Sequence, residues 1–211
     1  MHTDDLIARL AAQPAPKPLS RPRLGGAMAL SMLAPVAVFL LVLGTRHNLV
    51  AAWSNPVVPF KTLLPLLTCG LSLALVLRLI RPEARVGAAV WAYALPLVAA
   101  LALWVAAFAQ RPPAARFAEV GVFSLAECLG SILVLAVVPV VVMLRMARRG
   151  ATTAPTLSAA LIGLTAASGV AAGYSLFCSR DNPLFFVTWY GAAILIVTGV
   201  SALAGRRLLR W

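Results

Sequence analysis

Three cysteines are the residues of this 211-residue chain whose type best suits them to chemistry. Cys69 lies well inside an apolar run and reads as an inert, small apolar residue. Cys128 and Cys178 each sit at the edge of a long apolar run, where a thiol can meet an aqueous boundary. If both reach the same boundary, their alpha carbons need to come within roughly 4.4–6.8 Å for a disulfide to form. Glu127 beside Cys128 and Asp181 beyond Cys178 would add oxygen donors, and two thiolates with one or two carboxylates suit a soft or borderline heavy-metal ion. Two unrelated cysteines in an apolar protein is the third reading, and spacing alone leaves all three open. No CxxC pair supports thioredoxin-like exchange. The only histidines, His2 and His47, have no partnered nucleophile legible in the sequence, so the chain reads as a protein without catalytic machinery or an obligatory cofactor.

The elements that must position these thiols follow from composition. Apolar residues make up 62% of the chain and charged residues 11%, more hydrocarbon than one soluble core of this size could bury. A bilayer core of about 30 Å needs roughly 20 apolar residues per helix. Runs at about 25–44, 62–79, 87–109, 124–144, 157–177 and 185–204 meet that length. The expected fold class is therefore all-α: a polytopic membrane protein with a bundle of six transmembrane helices. The net charge of +12 does not point to nucleic acid, because the arginines flank apolar runs and form no basic face. With the N-terminus inside, 13 of the 18 Lys and Arg fall in inner segments and only Arg46, Lys61, Arg111, Arg116 and Arg180 in outer loops. Basic residues are retained on the cytoplasmic side, so both termini are expected there. The first run is read as a true helix, since Gly44, Thr45, Arg46 and His47 do not resemble a cleavage site.

Pro35, Pro65, Pro96 and Pro139 fall inside the first four spans and predict kinks. In the fifth span Gly169 and Gly173, with Gly163, Ala166 and Ser168, make a small-residue face for close helix packing. Trp53, Trp104, Trp189, Tyr190 and Trp211 fall near span ends and read as interfacial anchors. No Asp, Glu, Lys or Arg stands near the middle of a span, which argues against the competing class, a small metal or solute transporter.

Residues 1–24 form a cytoplasmic tail ahead of the 25–211 membrane domain. Thr3 can cap a short helix, and Asp4 and Asp5 favour its positive end. Leu6, Ile7 and Leu10 share one face. Pro14, Pro16, Pro18 and Pro22, interspersed with Lys17, Arg21 and Arg23, follow as a semi-extended tether. Two readings stand: a frayed terminus whose basic residues hold lipid headgroups, and a docking peptide that folds on a cytoplasmic partner.

The start Thr3-Asp4-Asp5-Leu6-Ile7, the early Cys128 of span four, the segment from Ala171 to Cys178, the pair Trp189-Tyr190 and the ending Gly205-Arg206-Arg207-Leu208-Leu209-Arg210-Trp211 together resemble the NrsF family. The resemblance covers essentially the whole chain. It implies a bacterial inner-membrane anti-sigma factor that holds an extracytoplasmic-function sigma factor inactive at the cytoplasmic face. It further implies that Cys128 and Cys178 are a periplasmic sensor pair for heavy metals or oxidants, and that the tail with Asp4 and Asp5 docks the sigma factor.

Overall fold

The computed structural model describes residues 3–12, 20–80, 86–118, 120–149 and 152–209, and among these the chain is entirely helical and turn, with no strand. The tether prolines 14, 16 and 18 with Lys17, the loop arginines 81 and 85, and the final Arg210 and Trp211 lie outside the described residues.

Helix α1 (Thr3–Ala11) carries Asp4 and Asp5 in its first turn, where the exposed N–H groups favour negative charge. Helix α2 (Arg21–Leu43) begins earlier than the sequence suggests. Ser20 accepts a hydrogen bond from the Arg23 N–H at 3.4 Å and Pro22 sits in the first turn, so Arg21 to Arg23 belong to the helix and not to the tether. The short α3 (Leu49–Ala52) leads to α4 (Val57–Leu79). A 3-10 segment, Gly87–Tyr93, then runs into α5 (Ala94–Gln110). Pro96 explains that change of winding, because its ring nitrogen cannot donate back to the preceding turn and an α ladder cannot pass through it unbroken. After α6 (Pro113–Arg116) come the three longest-range organisers: α7 (Val122–Ala147), α8 (Pro155–Tyr174) and α9 (Pro183–Leu208).

Six stretches of 20 to 26 residues are long and apolar enough to cross a membrane, and they coincide with the six expected runs apart from their ends. Two ends matter. The second span starts at Val57, five positions before the expected Thr62, which takes Lys61 out of the outer loop and into the helix. The fifth span stops at Tyr174 instead of Phe177. Carbonyls past that point are taken by donors from elsewhere: Leu176 accepts from the Arg46 N–H, and Cys178 and Arg180 accept from Lys61. A helix whose next carbonyls are captured laterally cannot propagate.

Helix α8 is the centre of the bundle. It packs against α9, α4, α7 and α2, and 67% of its apolar stretch is buried, against 11% for the Gly87–Gln110 stretch at the periphery. Its glycines permit this. A β-carbon at Gly169 would lie 2.7 Å from Met32 Sδ and 3.0 Å from Cys69 Sγ, and one at Gly173 would run into the Val36 side chain. At Gly163 it would meet Ser201 Oγ at 2.6 Å. Cys69 is buried here, its thiol donating to Met32 Sδ at 3.8 Å, in keeping with a packing role.

Substituting Gly173→Val should therefore cost about 1–3 kcal/mol of stability through overpacking. Gly191→Ala, where nothing lies within 4 Å of the added atom, should leave the thermal midpoint in detergent unchanged or slightly higher. Equal midpoints for the two variants would contradict the close α2–α8 approach.

Candidate functional site

At the end of the bundle where α2 leaves and α4, α7 and α9 begin, a polar network is enclosed by apolar side chains. Lys61, one turn into α4, is 1% exposed. A buried ammonium needs oxygen on every proton. Its Nζ donates to the carbonyls of Cys178 and Arg180, each at 2.7 Å, and reaches Asp181 Oδ1 at 3.4 Å. Arg46, in the turn after α2, grips Asp181 with both terminal nitrogens, at 2.7 and 2.8 Å. Burial pushes the Asp181 carboxyl up, but Arg46 and Lys61 together outweigh it and hold the group below its ordinary value of 3.8. Asn182, 2% exposed, caps α9 by accepting from the Leu184 N–H and donates to the Arg116 carbonyl, tying α6 to the same loop. Thr62 and Ser175 hydroxyls share a 2.7 Å hydrogen bond that joins α4 to the end of α8.

The two cysteines meet inside this network. Cys128 on α7 and Cys178 past the end of α8 are 1% and 6% exposed and belong to one cluster with Val36, Tyr174, Phe185 and Tyr190. Both are free thiols, and they face one another within that cluster. The neighbouring Cys128 thiol, then the Lys61 charge, the Arg180 amide and the nearby Tyr190 hydroxyl, overcome the burial penalty and shift the Cys178 thiol toward its anionic form. Tyr190 stands against the same sulfur. Its hydroxyl is fully buried and no atom meets hydrogen-bond geometry with it.

The carboxylates expected as further metal ligands do not join the thiols. Glu127 is exposed, one residue and therefore about 100° around the helix from Cys128. Asp181 is occupied by Arg46 and Lys61. Among the described residues no three of His, Cys, Asp and Glu gather closely enough to hold an ion. In the tail, Asp4, Asp5 and Ile7 are exposed on α1, Ile7 at 58%; the side chains of Leu6 and Leu10 lie outside the described residues.

Three participants escape a reading of the sequence alone. Lys61 and Arg46 read as loop charges and Tyr190 as an interfacial anchor, whereas Tyr190 is 3% exposed and packs on Cys178. Lys61 does carry a signal: a lone cation flanked by Phe60 and by Leu63 and Leu64 in an apolar run requires a partner.

Fold and site together define a class: an all-helical protein with six membrane-length helices, whose polar site is a buried pair of thiols inside an ion-pair network. The chain belongs to the NrsF family, negative regulators of sigma F, whose model matches residues 10–211. It is thus an anti-sigma factor by family, with a regulatory role. It is 30% identical to the probable anti-sigma-F factor NrsF of Azospira oryzae and 33% identical to the anti-sigma-F factor NrsF of Caulobacter vibrioides, in each case over the full length of both chains. No solved structure matches it.

Asp181→Asn keeps the shape of the network but removes its carboxylate charge. Loss of charge-assisted bonds to Arg46 and Lys61 should cost about 1.5–3 kcal/mol. Because the folded-state acidity of Asp181 is stronger than its unfolded value of 3.8, its contribution is complete above that pH and is lost as pH falls through the lower folded value. Thermal melts should show the native protein losing stability below about pH 4, by a step that Asp181→Asn lacks. A step of the same size in both proteins would contradict this assignment.

Proposed function

We propose that this chain is a membrane-embedded anti-sigma factor that sequesters an extracytoplasmic-function sigma factor at the cytoplasmic face of a bacterial inner membrane, and that oxidation of the Cys128 and Cys178 thiols releases it. The observation that carries the sensing half is the pairing of two free, buried thiols beside the Lys61 ammonium. The distribution of 13 of the 18 basic residues on the opposite side supports an orientation with both termini cytoplasmic and the thiol site on the periplasmic side. That compartment permits disulfides. Oxidation is favoured over metal binding as the signal, because the nearby carboxylates are exposed or already paired.

The exposed α1, with Asp4, Asp5 and Ile7 outward and Leu6 and Leu10 in its sequence, is the proposed docking element for the sigma factor. Joining the thiols would pull the α7 start toward the α8 end, and α8 packs against α2, α4, α7 and α9. A stiff, central helix is suited to carry such a shift to the opposite face. The energy scale is adequate: a micromolar complex is worth about 8 kcal/mol, and a switch that changes affinity about 100-fold supplies about 2.7 kcal/mol.

Single replacements Cys128→Ser and Cys178→Ser should each abolish oxidant-induced transcription from a sigma-dependent reporter while leaving repression in place. An undiminished response in both would refute the sensor. Asp4→Ala with Asp5→Ala in the full chain should weaken co-purification of the sigma factor and raise basal reporter output. Unchanged capture would move recognition to the loops around Arg78 and Arg145.

A further inference from the structure

The two thiols are not equivalent, and their surroundings divide the labour between them. Cys128 is set in the wall of α7, fully buried. Cys178 lies beyond the end of α8, on a loop whose carbonyls are pinned by Lys61, so the ammonium stands beside it. The Tyr190 hydroxyl is buried in the same cluster, with the Cys178 sulfur, a weak acceptor, as its neighbour. A buried hydroxyl that meets only a sulfur gains a stronger hydrogen bond when an oxygen acceptor arrives. An oxygen atom bonded to the Cys178 sulfur would be such an acceptor. Exposures of 1% and 6% admit only a small reagent to the pair.

Resting on the reading of the pair as a redox switch, we propose that Cys178 reacts first, taking an oxygen atom from a small hydroperoxide, and that Cys128 then resolves it to the disulfide. The Cys178 thiolate attacks the outer oxygen of the peroxide; the S–O bond forms as the O–O bond breaks. The departing alkoxide or hydroxide takes the Cys128 proton and leaves as alcohol or water. Tyr190 donates its hydrogen bond to the oxygen of the Cys178 sulfenic acid and holds it in place. The Cys128 thiolate attacks the sulfenic sulfur, the S–S bond forms, and hydroxide departs and is protonated by solvent. Two electrons have passed from the thiols to the peroxide.

The test uses the purified full chain in lipid nanodiscs, treated with hydrogen peroxide, unfolded at timed intervals in SDS containing dimedone and read by peptide mass spectrometry. Cys128→Ser should accumulate dimedone on Cys178, and Cys178→Ser should label Cys128 at least about tenfold more slowly. Adding Tyr190→Phe to Cys128→Ser, which keeps the ring packing, should reduce the trapped sulfenic acid by about tenfold, the scale of one lost hydrogen bond to a charged or developing oxyanion. A thermal midpoint near that of the parent confirms that the ring still packs. Glutathione disulfide, too bulky for the site, should not oxidise the native pair. Labelling of Cys128 as fast as Cys178 overturns the order while a peroxide-formed disulfide in the native chain keeps the redox reading. Failure of peroxide to form any disulfide overturns the redox reading itself. Unchanged trapping in the Tyr190→Phe background removes Tyr190 from the mechanism, and rapid oxidation by glutathione disulfide overturns the selection for small oxidants.

Discussion

A single buried ammonium constrains one end of this molecule. Lys61 cannot stay charged in an apolar bundle unless oxygens surround it, and the chain supplies them from the segment after α8. Turning the carbonyls of Cys178 and Arg180 toward Lys61 ends the helix at Tyr174 and sets the loop that holds Cys178. Asp181 brings a negative charge into the same space, and Arg46 balances it from the turn after α2. Three segments, the turn after α2, the start of α4 and the loop after α8, are thereby joined at one point, and the thiol pair lies at that point.

The rest of the bundle is arranged to let α8 carry this loop. Gly163 lets the α9 backbone approach, and Gly169 and Gly173 admit side chains of α2 and α4, which yields dispersion contacts where lipid gives no hydrophobic incentive for helices to associate. Close packing also makes α8 stiff. A rearrangement at its thiol end would be passed along its length, whereas α5, with little buried surface, is poorly placed to transmit anything. The proposed switch would act only by changing how two helix ends are tied.

Much of this architecture is legible in the amino-acid sequence. The six apolar runs, their lengths and the asymmetry of arginines depend on composition within single segments, and helices in hydrocarbon satisfy their own backbone, so each run declares its secondary structure unaided. The pairing of Cys128 with Cys178 is compatible with two consecutive spans lying side by side. The small-residue face of α8 is visible as Gly169 and Gly173, because the absence of a side chain is itself a sequence feature.

Local composition thus sets the number of helices, the neighbours of the two reactive thiols along the chain, and the presence of a helical acidic tail. How those thiols are surrounded depends on packing between distant segments. Lys61 and Arg46 come from segments more than a hundred residues away from Cys178, and Tyr190 turns inward where its position near a span end suggests a lipid anchor. Glu127, adjacent to Cys128 in sequence, points away because successive helical residues are rotated by about 100°. Adjacency along the chain and proximity in space diverge at the end of a helix bundle, and there the burial of one charge, a long-range electrostatic constraint, chooses between them.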